Sequence, residues 1–180
     1  STVVREKVGG LTLDGQACQA NQQIHFDKHP IPAGFKALSV TFRYTPDYNR
    51  PLKLRVVEGY QSHLFSEAAK STFYNTVFTV SQNSNRMGYR LSGEPVESPA
   101  ITILSEGIAL GAIQIPKDGQ PIILLNDRQT IGGYPKLGCI ARIDLPRLAQ
   151  AKPGQQVSFI AGDRLGLQEV WCQWARFFGY

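Results

Sequence analysis

With 180 residues, of which 42% are apolar and 18% charged, the chain has the composition of a globular protein long enough to bury a core. Its longest apolar runs span only a few residues, which argues against a transmembrane helix, and the stretch after Ser1 lacks the apolar segment of a signal peptide. The net charge of +5 comes from 19 basic and 14 acidic residues dispersed along the sequence, so nucleic-acid binding is not expected.

Short strands dominate the first part of the chain. Alternating apolar and polar residues predict strands at residues 36–44 ("KALSVTFRY"), 52–57 ("LKLRVV") and 75–82 ("NTVFTVSQ"). Between the last two, residues 65–74 form the first good helical segment, with Ser66 as its N-cap. Two further short strands are expected in "GYRLSG" and "PAITIL".

The second part begins with a predicted hairpin of buried strands over residues 111–125, since "PKDGQP" supplies an Asp-Gly turn. Strands follow at residues 139–145 and within residues 152–160, and Pro146 opens a helical turn between them. After Asp163, which is placed as a cap, apolar residues recur at helical spacing.

These elements together predict a mainly β fold. Many short strands with two or three helices are typical of a closed or nearly closed β-barrel, here expected as a single domain over residues 1–180. Cys18, Cys139 and Cys172 are widely spaced and show no metal-type spacing with the three histidines. We therefore expect buried thiols in a reducing compartment, hence the cytoplasm, and no metal site.

A first polar segment, "SQNSNRMGYRLSG" at residues 81–93, follows an apolar strand. It reads either as an Asn/Ser-rich turn or as a strand-end loop that presents amide groups and an Arg fork to a carboxylate or ureido group. Asn85 and Arg86 are its candidate site residues.

A second polar segment, "NDRQTIGGYP" at residues 126–135, follows the predicted hairpin. Asp127 is a candidate general base, although it can equally cap a turn. Its neighbours can donate and accept hydrogen bonds, and the Gly-Gly pair permits close approach of the backbone to a ligand. The chain carries no Walker-type ATP motif and no GxSxG or HExxH motif.

The sequence resembles a known family. "SNRMGYRLSG" and the run "SEGIALGAIQIPKDGQPIILLNDRQTIGGYPKLGCIARIDLPRLAQAKPGQQVSF" are similar in motif order, spacing and turn residues to allophanate hydrolase subunit 2, also called the biotin-dependent carboxyltransferase family. That family includes the C subunit of bacterial 5-oxoprolinase. The resemblance covers essentially the whole chain but only the C-terminal part of a family member, so that roughly the first third is expected to be missing.

The resemblance implies a cyclophilin-like β-barrel with a few short helices. It also implies a role as the C subunit of a 5-oxoprolinase-type complex, which opens pyroglutamate to glutamate in an ATP-dependent reaction. The implied partners are a subunit-1-like cyclophilin-like protein and a lactam-utilisation subunit, with no cofactor bound by this domain alone. One alternative is a carboxyltransferase of urea metabolism that uses carboxybiotin. Another is a non-catalytic regulator that antagonises a kinase inhibitor.

The chemistry of an amide or lactam substrate suggests roles for the polar residues. Such a substrate requires donors for a developing oxyanion and a base for an N–H group or a water. Asp127 is the expected base or orienting group, and Arg86 is expected to hold a carboxylate. The expected substrate-binding residues are Asn85, Gln114, Gln120, Asn126, Gln129, Thr130 and Tyr134, the last as a wall of the pocket.

Overall fold

The computed structural model describes the backbone of residues 4–7, 10–13, 16–17 and 177, and the whole of residues 50–101 and 103–176. The chain divides into two compact units, Ser1–Arg43 and Tyr44–Tyr180. In the first, antiparallel strands β1 (Val4–Lys7), β2 (Gly10–Leu13) and β3 (Gln16–Ala17) pair in that order. The strand expected at residues 36–44 lies outside the described residues, and the single domain over residues 1–180 stays a prediction.

The described part of the second unit contains a closed barrel of seven strands and a separate two-stranded ribbon. The strands are β4 (Leu52–Glu58), β5 (Phe78–Val80), β6 (Gly88–Ser92), β7 (Glu106–Gly107), β8 (Ala112–Gln114), β9 (Ile122–Leu124), β10 (Ile131–Gly132), β11 (Lys136–Ile140) and β12 (Gln156–Ala161). The barrel order is β11-β4-β12-β5-β6-β9-β8, and β8 pairs back with β11. All of these pairings are antiparallel except that of β4 with β12. The mainly β, cyclophilin-like barrel predicted from the sequence is confirmed.

Three helices accompany the barrel among the described residues: α1 (Glu67–Asn75), α2 (Leu145–Leu148) and α3 (Arg164–Phe177). The predicted caps are confirmed, because Ser66 Oγ accepts a hydrogen bond from the Ala69 N–H at 3.1 Å and Asp163 Oδ2 accepts one from the Gly166 N–H at 2.7 Å. Each cap satisfies a backbone donor that has no partner within the helix. A 3₁₀ turn, Ser62–Leu64, lies between β4 and α1.

The barrel core is closed on one side by α1. Phe73 of this helix stacks on Phe159 of β12 with ring centroids 4.3 Å apart, and Phe78 of β5 packs against both rings. All three side chains are buried. Burying a side chain of this size stabilises the fold by roughly 1.5–3 kcal/mol, so these rings hold α1 on the barrel.

Two predicted strands differ from the structure. "PAITIL" forms no strand in its described residues, where Leu104 is 87% exposed and the Ile101 N–H closes a turn onto the Pro99 carbonyl. The strand expected at 139–145 instead spans Lys136–Ile140, because the backbone then turns and the Asp144 N–H bonds to the Ala141 carbonyl. Apolar composition predicted strand in both places, but a strand also requires a neighbouring strand to pair with.

Candidate functional site

The polar loop over residues 126–130 leads from β9 into the ribbon of β7 and β10. Arg128 fixes this loop, since its guanidinium donates to the carbonyls of Ile108 at 3.0 Å and Leu125 at 3.2 Å. The Ile108 N–H then bonds to the Thr130 carbonyl at 2.9 Å. The ribbon that follows places Glu106 opposite Gly132, so the loop brings an acidic residue beside the glycine pair.

Three barrel strands meet at one rim of the barrel. Because β11 is antiparallel to both β4 and β8, the beginning of β11 lies beside the ends of the other two. Lys136 opens β11 and is the register partner of Gln114, the last residue of β8. Gln61 follows β4 by three residues, and its Oε1 atom accepts the backbone N–H of Lys136 while its Nε2 atom donates to Glu106. The topology therefore gathers three polar residues from distant parts of the sequence.

Glu106 is the centre of a polar network at this rim. Its Oε1 atom lies 2.7 Å from Lys136 Nζ and accepts a hydrogen bond from Gln61 Nε2 at 2.5 Å, and its Oε2 atom accepts a hydrogen bond from the Tyr60 hydroxyl. The buried Gln61 also accepts the Lys136 backbone N–H through Oε1 at 2.8 Å. Gln61 thus ties the carboxylate to the start of β11.

The network sets the protonation of its members. Two hydrogen bonds lower the pKa of Glu106 because they stabilise its carboxylate; the bond from Lys136 has the larger effect and the bond from Tyr60 the next largest. The hydrogen bond to Glu106 raises the pKa of Tyr60. At neutral pH the site therefore holds an ionised carboxylate and a neutral phenol.

Gln114 adds an unusual feature to the rim. Its side chain is 1% exposed, and its Nε2 atom is buried with no hydrogen-bond partner in the part of the chain that the structure describes. Most buried amide groups in proteins are hydrogen-bonded. In a native fold such a donor is met by an ordered water or marks a functional position.

The predicted residues Arg86 and Asp127 lie elsewhere, paired with each other at the surface. Arg86 Nε is 3.0 Å from Asp127 Oδ2, and their side chains are 88% and 44% exposed. Asn85 Oδ1 accepts the Met87 N–H at 2.8 Å and so caps its own turn. Asn126 joins these three residues along a groove of ≈ 550 Å³.

The α3 helix forms the far wall of this groove. Trp171 and Trp174 stack with ring centroids 4.9 Å apart, and the Arg142 guanidinium lies 4.6 Å from the centre of the Trp171 ring. The groove is thus largely apolar and aromatic, with Arg86 and Asp127 on one side and Arg142 against the tryptophans on the other. Asn85, Arg86, Asn126 and Asp127 therefore line this groove, whereas Gln114 lies at the barrel rim.

The remaining predicted residues lie in distinct places. Both polar atoms of the Gln120 side chain are hydrogen-bonded to the Gly93 backbone. Its Oε1 accepts the Gly93 N–H at 2.9 Å, and its Nε2 donates to the Gly93 carbonyl at 3.2 Å. Thr130 is exposed, and Tyr134 is half exposed while its carbonyl accepts from Lys136 Nζ at 3.3 Å. Gln129 lies beside Gly132 at the rim. The structure does not test the role predicted for any of these residues.

Sequence reasoning missed Tyr60, Gln61, Glu106 and Lys136. One signal was available for Lys136, the sole charge in the otherwise apolar strand "KLGCI". Glu106 and Gln61 are 45 residues apart, and only the barrel pairing together with the ribbon of β7 and β10 brings them into contact.

No group of three or more His, Cys, Asp or Glu residues that could hold a metal ion occurs among residues 50–101 and 103–176. None of the helices described here is long and apolar enough to cross a membrane.

Comparison with known proteins shows similarity to a family of carboxyltransferase domains and to several named relatives. The model of the family described as "Carboxyltransferase domain, subdomain A and B" matches residues 1–161. The C subunit of 5-oxoprolinase from Escherichia coli is 40% identical over 109 residues, which are 60% of this chain and 35% of that protein. The protein of the same name from Haemophilus influenzae is 32% identical over 172 residues, covering 94% of this chain and 52% of the relative.

Two further similarities extend this picture. The urea amidolyase of Lachancea kluyveri is 29% identical over 107 residues, which are 53% of this chain and 6% of that protein. The crystal structure of TTHA0988 superposes with a TM-score of 0.57 at 28% identity, covering 83% of this chain and 26% of the other. The chain thus spans about a third to a half of the length of the two 5-oxoprolinase proteins that it matches.

Proposed function

The chain belongs to the family of carboxyltransferase domains, subdomain A and B, and we propose that it acts as the C subunit of a 5-oxoprolinase-type complex. In that reaction the lactam C–N bond of pyroglutamate breaks, the hydroxyl of a water joins the carbonyl carbon, and a proton goes to the ring nitrogen to give glutamate. Hydrolysis of ATP to ADP and phosphate is coupled to the opening. The two relatives named as C subunits of 5-oxoprolinase support this choice of substrate.

The observation that carries the proposal is the polar network around Glu106 beside the buried Gln114 amide. Opening an amide places negative charge on the carbonyl oxygen, and donors that are already positioned lower the barrier to that step. The rim supplies such donors on rigid strands, and the lysine and carboxylate compensate each other's charge. Asp127, which the sequence predicts as the base or orienting group for water, lies apart from this rim and is paired with Arg86, so its part in the proposal depends on the rate of an Asp127→Asn variant.

The partners and cofactors of the proposal lie on other chains. We place ATP on a partner within the complex, because this sequence has no Walker-type motif. A subunit-1-like cyclophilin-like protein and a lactam-utilisation subunit are the proposed partners, and the names of the relatives as subunits support an assembly of several chains. The cytoplasm is the proposed compartment, since Cys139 and Cys172 are free thiols.

A second candidate function is carboxyl transfer to urea from carboxybiotin. The urea amidolyase relative and the description of the family favour it. Urea and pyroglutamate both present a carbonyl next to an N–H group, so the same donors can serve either substrate. The third candidate, a non-catalytic antagonist of a kinase inhibitor, predicts a complex that binds its partner but turns over neither substrate.

The test is reconstitution of the full-length protein with its candidate partner subunits, followed by measurement of glutamate formed from pyroglutamate and ATP. Lys136→Met should lower the rate of glutamate formation at least about tenfold. This lower limit is set below the usual loss, which is about a hundredfold or more when one donor to a developing oxyanion is removed. Lys70→Met is the matched control, because Lys70 is also ion-paired, with Glu58 and Glu67, but lies on α1. A wild-type complex that carboxylates urea and leaves pyroglutamate intact would establish the second candidate instead.

A further inference from the structure

The groove beside α3 differs from the barrel rim in position and in lining. Its volume of ≈ 550 Å³ is within the range of about 300–1,000 Å³ that is typical of small-molecule sites. Trp171 and Trp174 of α3 form one wall, and Leu110 and Leu125 line the groove from the barrel. The family model matches the chain only as far as residue 161, so α3 lies outside the matched segment. The groove therefore combines the barrel with a helix that the family model does not cover.

The aromatic side chains of the groove offer ring faces to a ligand. The Trp171 and Trp174 rings are stacked, with an interplanar angle of 20° and centroids 4.9 Å apart. Tyr89 also lines the groove, and its hydroxyl donates to the carbonyls of Ala149 and Ala151 at 3.1 Å, so its polar atom already has partners. Flat ring faces favour a ligand with a flat aromatic ring, because stacking adds to the burial of apolar surface.

One positive charge in the groove has no acidic partner. Arg86 is paired with Asp127 at 3.0 Å, so these two charges compensate each other. The Arg142 guanidinium lies 4.6 Å from the centre of the Trp171 ring, and it makes no hydrogen bond or ion pair with any described residue. Arginine side chains stay protonated in proteins. The lining of the groove therefore carries one net positive charge, and this charge lies against the tryptophan wall.

The uncompensated guanidinium selects a carboxylate. Its N–H groups form a fork that matches the two oxygens of a carboxylate, and such bidentate pairs are among the stronger hydrogen-bonded contacts in proteins. A phosphate group carries more negative charge, and it would meet a single uncompensated cation with the Asp127 carboxylate in the same groove. Because the Arg142 guanidinium lies against the Trp171 ring, a carboxylate bound to it would be next to aromatic surface.

We propose that the groove between α3 and the barrel binds a small aromatic monocarboxylate, with its ring against Trp171 and Trp174 and its carboxylate on Arg142. The groove is separate from the barrel rim, and this ligand is not the lactam of the proposed function. Carboxylate recognition, which we predicted for Arg86 from the sequence, is assigned to Arg142, because Arg86 is already paired with Asp127. The ligand site therefore does not depend on the proposed reaction.

The direct test is a titration of the full-length protein followed by nuclear magnetic resonance of the tryptophan indole N–H groups. The Trp171 and Trp174 signals are identified by their loss in Trp171→Phe and Trp174→Phe. The probe is 2-naphthoate, and its controls are 2-naphthalenemethanol, which lacks the charge, and acetate, which lacks the ring. Both indole signals should shift and saturate with 2-naphthoate, the alcohol should bind at least about tenfold more weakly, and acetate should cause no shift. Equal affinity for the acid and the alcohol, or indole signals that ignore 2-naphthoate, would overturn the site.

Removal of the uncompensated charge gives a second test. Arg142→Met should weaken 2-naphthoate binding at least about tenfold and leave the affinity for the alcohol within about twofold, because only the acid uses the guanidinium. Arg147→Met is the matched control and should bind 2-naphthoate as the wild type does, since Arg147 lies on α2 and does not line the groove. Wild-type affinity in Arg142→Met, or an equal loss in Arg147→Met, would contradict the proposal. The comparison of acid and alcohol in the wild type needs no variant, so it holds even if Arg142→Met does not fold.

Other occupants of the groove give different results. A second copy of the chain would make the indole signals change on dilution of the protein alone, and a partner subunit would make them change on its addition. Either change, combined with no response to 2-naphthoate, would reject a small-molecule site. Saturable binding of pyroglutamate at the indole signals, with none of 2-naphthoate, would assign the groove to the proposed reaction and reject the aromatic ligand.

Discussion

Arg86 and Asp127, 41 residues apart in the sequence, form an exposed ion pair in which Arg86 Nε lies 3.0 Å from Asp127 Oδ2. The backbones of the two residues are joined as well, because the Asp127 N–H donates to the Arg86 carbonyl at 3.2 Å. The two residues predicted as catalytic are therefore each other's partners. The contact links the loop after β5 to the loop after β9.

The Asp127→Asn variant separates a loop contact from a catalytic base. Exposed ion pairs contribute about 0–1 kcal/mol, so the free energy of unfolding should change by less than about 1 kcal/mol. If Asp127 is the base, turnover of pyroglutamate by the reconstituted complex should fall at least about tenfold, a lower bound on the usual loss. Denaturant unfolding and a rate assay on the same preparation measure both. A variant that turns over pyroglutamate at the wild-type rate would show that Asp127 is a structural residue of the loop and not the base.

A second ion pair, Arg55–Asp144, is expected to matter far more for stability. Asp144 is 1% exposed and accepts three hydrogen bonds from Arg55, from its backbone N–H at 2.9 Å and from its guanidinium at 2.6 and 2.9 Å. Asp144→Ala should lower the free energy of unfolding by at least about 2 kcal/mol, below the usual 3–5 kcal/mol because the arginine is partly exposed. Chemical denaturation beside Asp127→Asn measures the contrast, and equal losses would contradict it.

Gln114 and Gln120, which the sequence placed in the same class, should respond oppositely to leucine. Gln120→Leu removes two hydrogen bonds to Gly93 and should cost about 1–2 kcal/mol of stability. Gln114→Leu removes a buried donor that has no partner among the described residues, so the free energy of unfolding should stay the same or rise by up to about 1 kcal/mol. Thermal melts of the two variants decide the matter, and a larger loss for Gln114→Leu would show that its amide is a structural group.

Glu106 should make stability depend on pH in the acidic range. Its folded pKa is lowered, first by Lys136 and then by Tyr60, so the folded state binds the proton less readily than the unfolded state. The contribution is therefore present above the unfolded pKa of about 4.3 and is lost as pH falls through the lower folded value. Melting curves at several acidic pH values should show a shallower decline for Glu106→Gln than for the wild type. Identical slopes would contradict the assignment.

Much of the fold was accessible from the sequence, because local patterns produce local structure. The alternation in "LKLRVV", the Asp-Gly turn at Asp118 and the caps Ser66 and Asp163 all correspond to observed elements. The strand predicted at "PAITIL" failed for a physical reason, since apolar residues form a strand only where a neighbour offers backbone partners.

The barrel class, the family and the position of the polar loop after β9 could be predicted from the sequence alone. The sequence could not determine which polar side chains share a site, because Gln61, Glu106 and Lys136 meet only through the antiparallel pairing of β11 with β4 and β8 and through the ribbon of β7 and β10. Nor could it separate Gln114 from Gln120, whose local sequences look alike. One amide is bonded to Gly93 and the other is buried with a donor that has no partner among the described residues. That difference is decided by which backbone groups the folded chain brings within hydrogen-bonding distance.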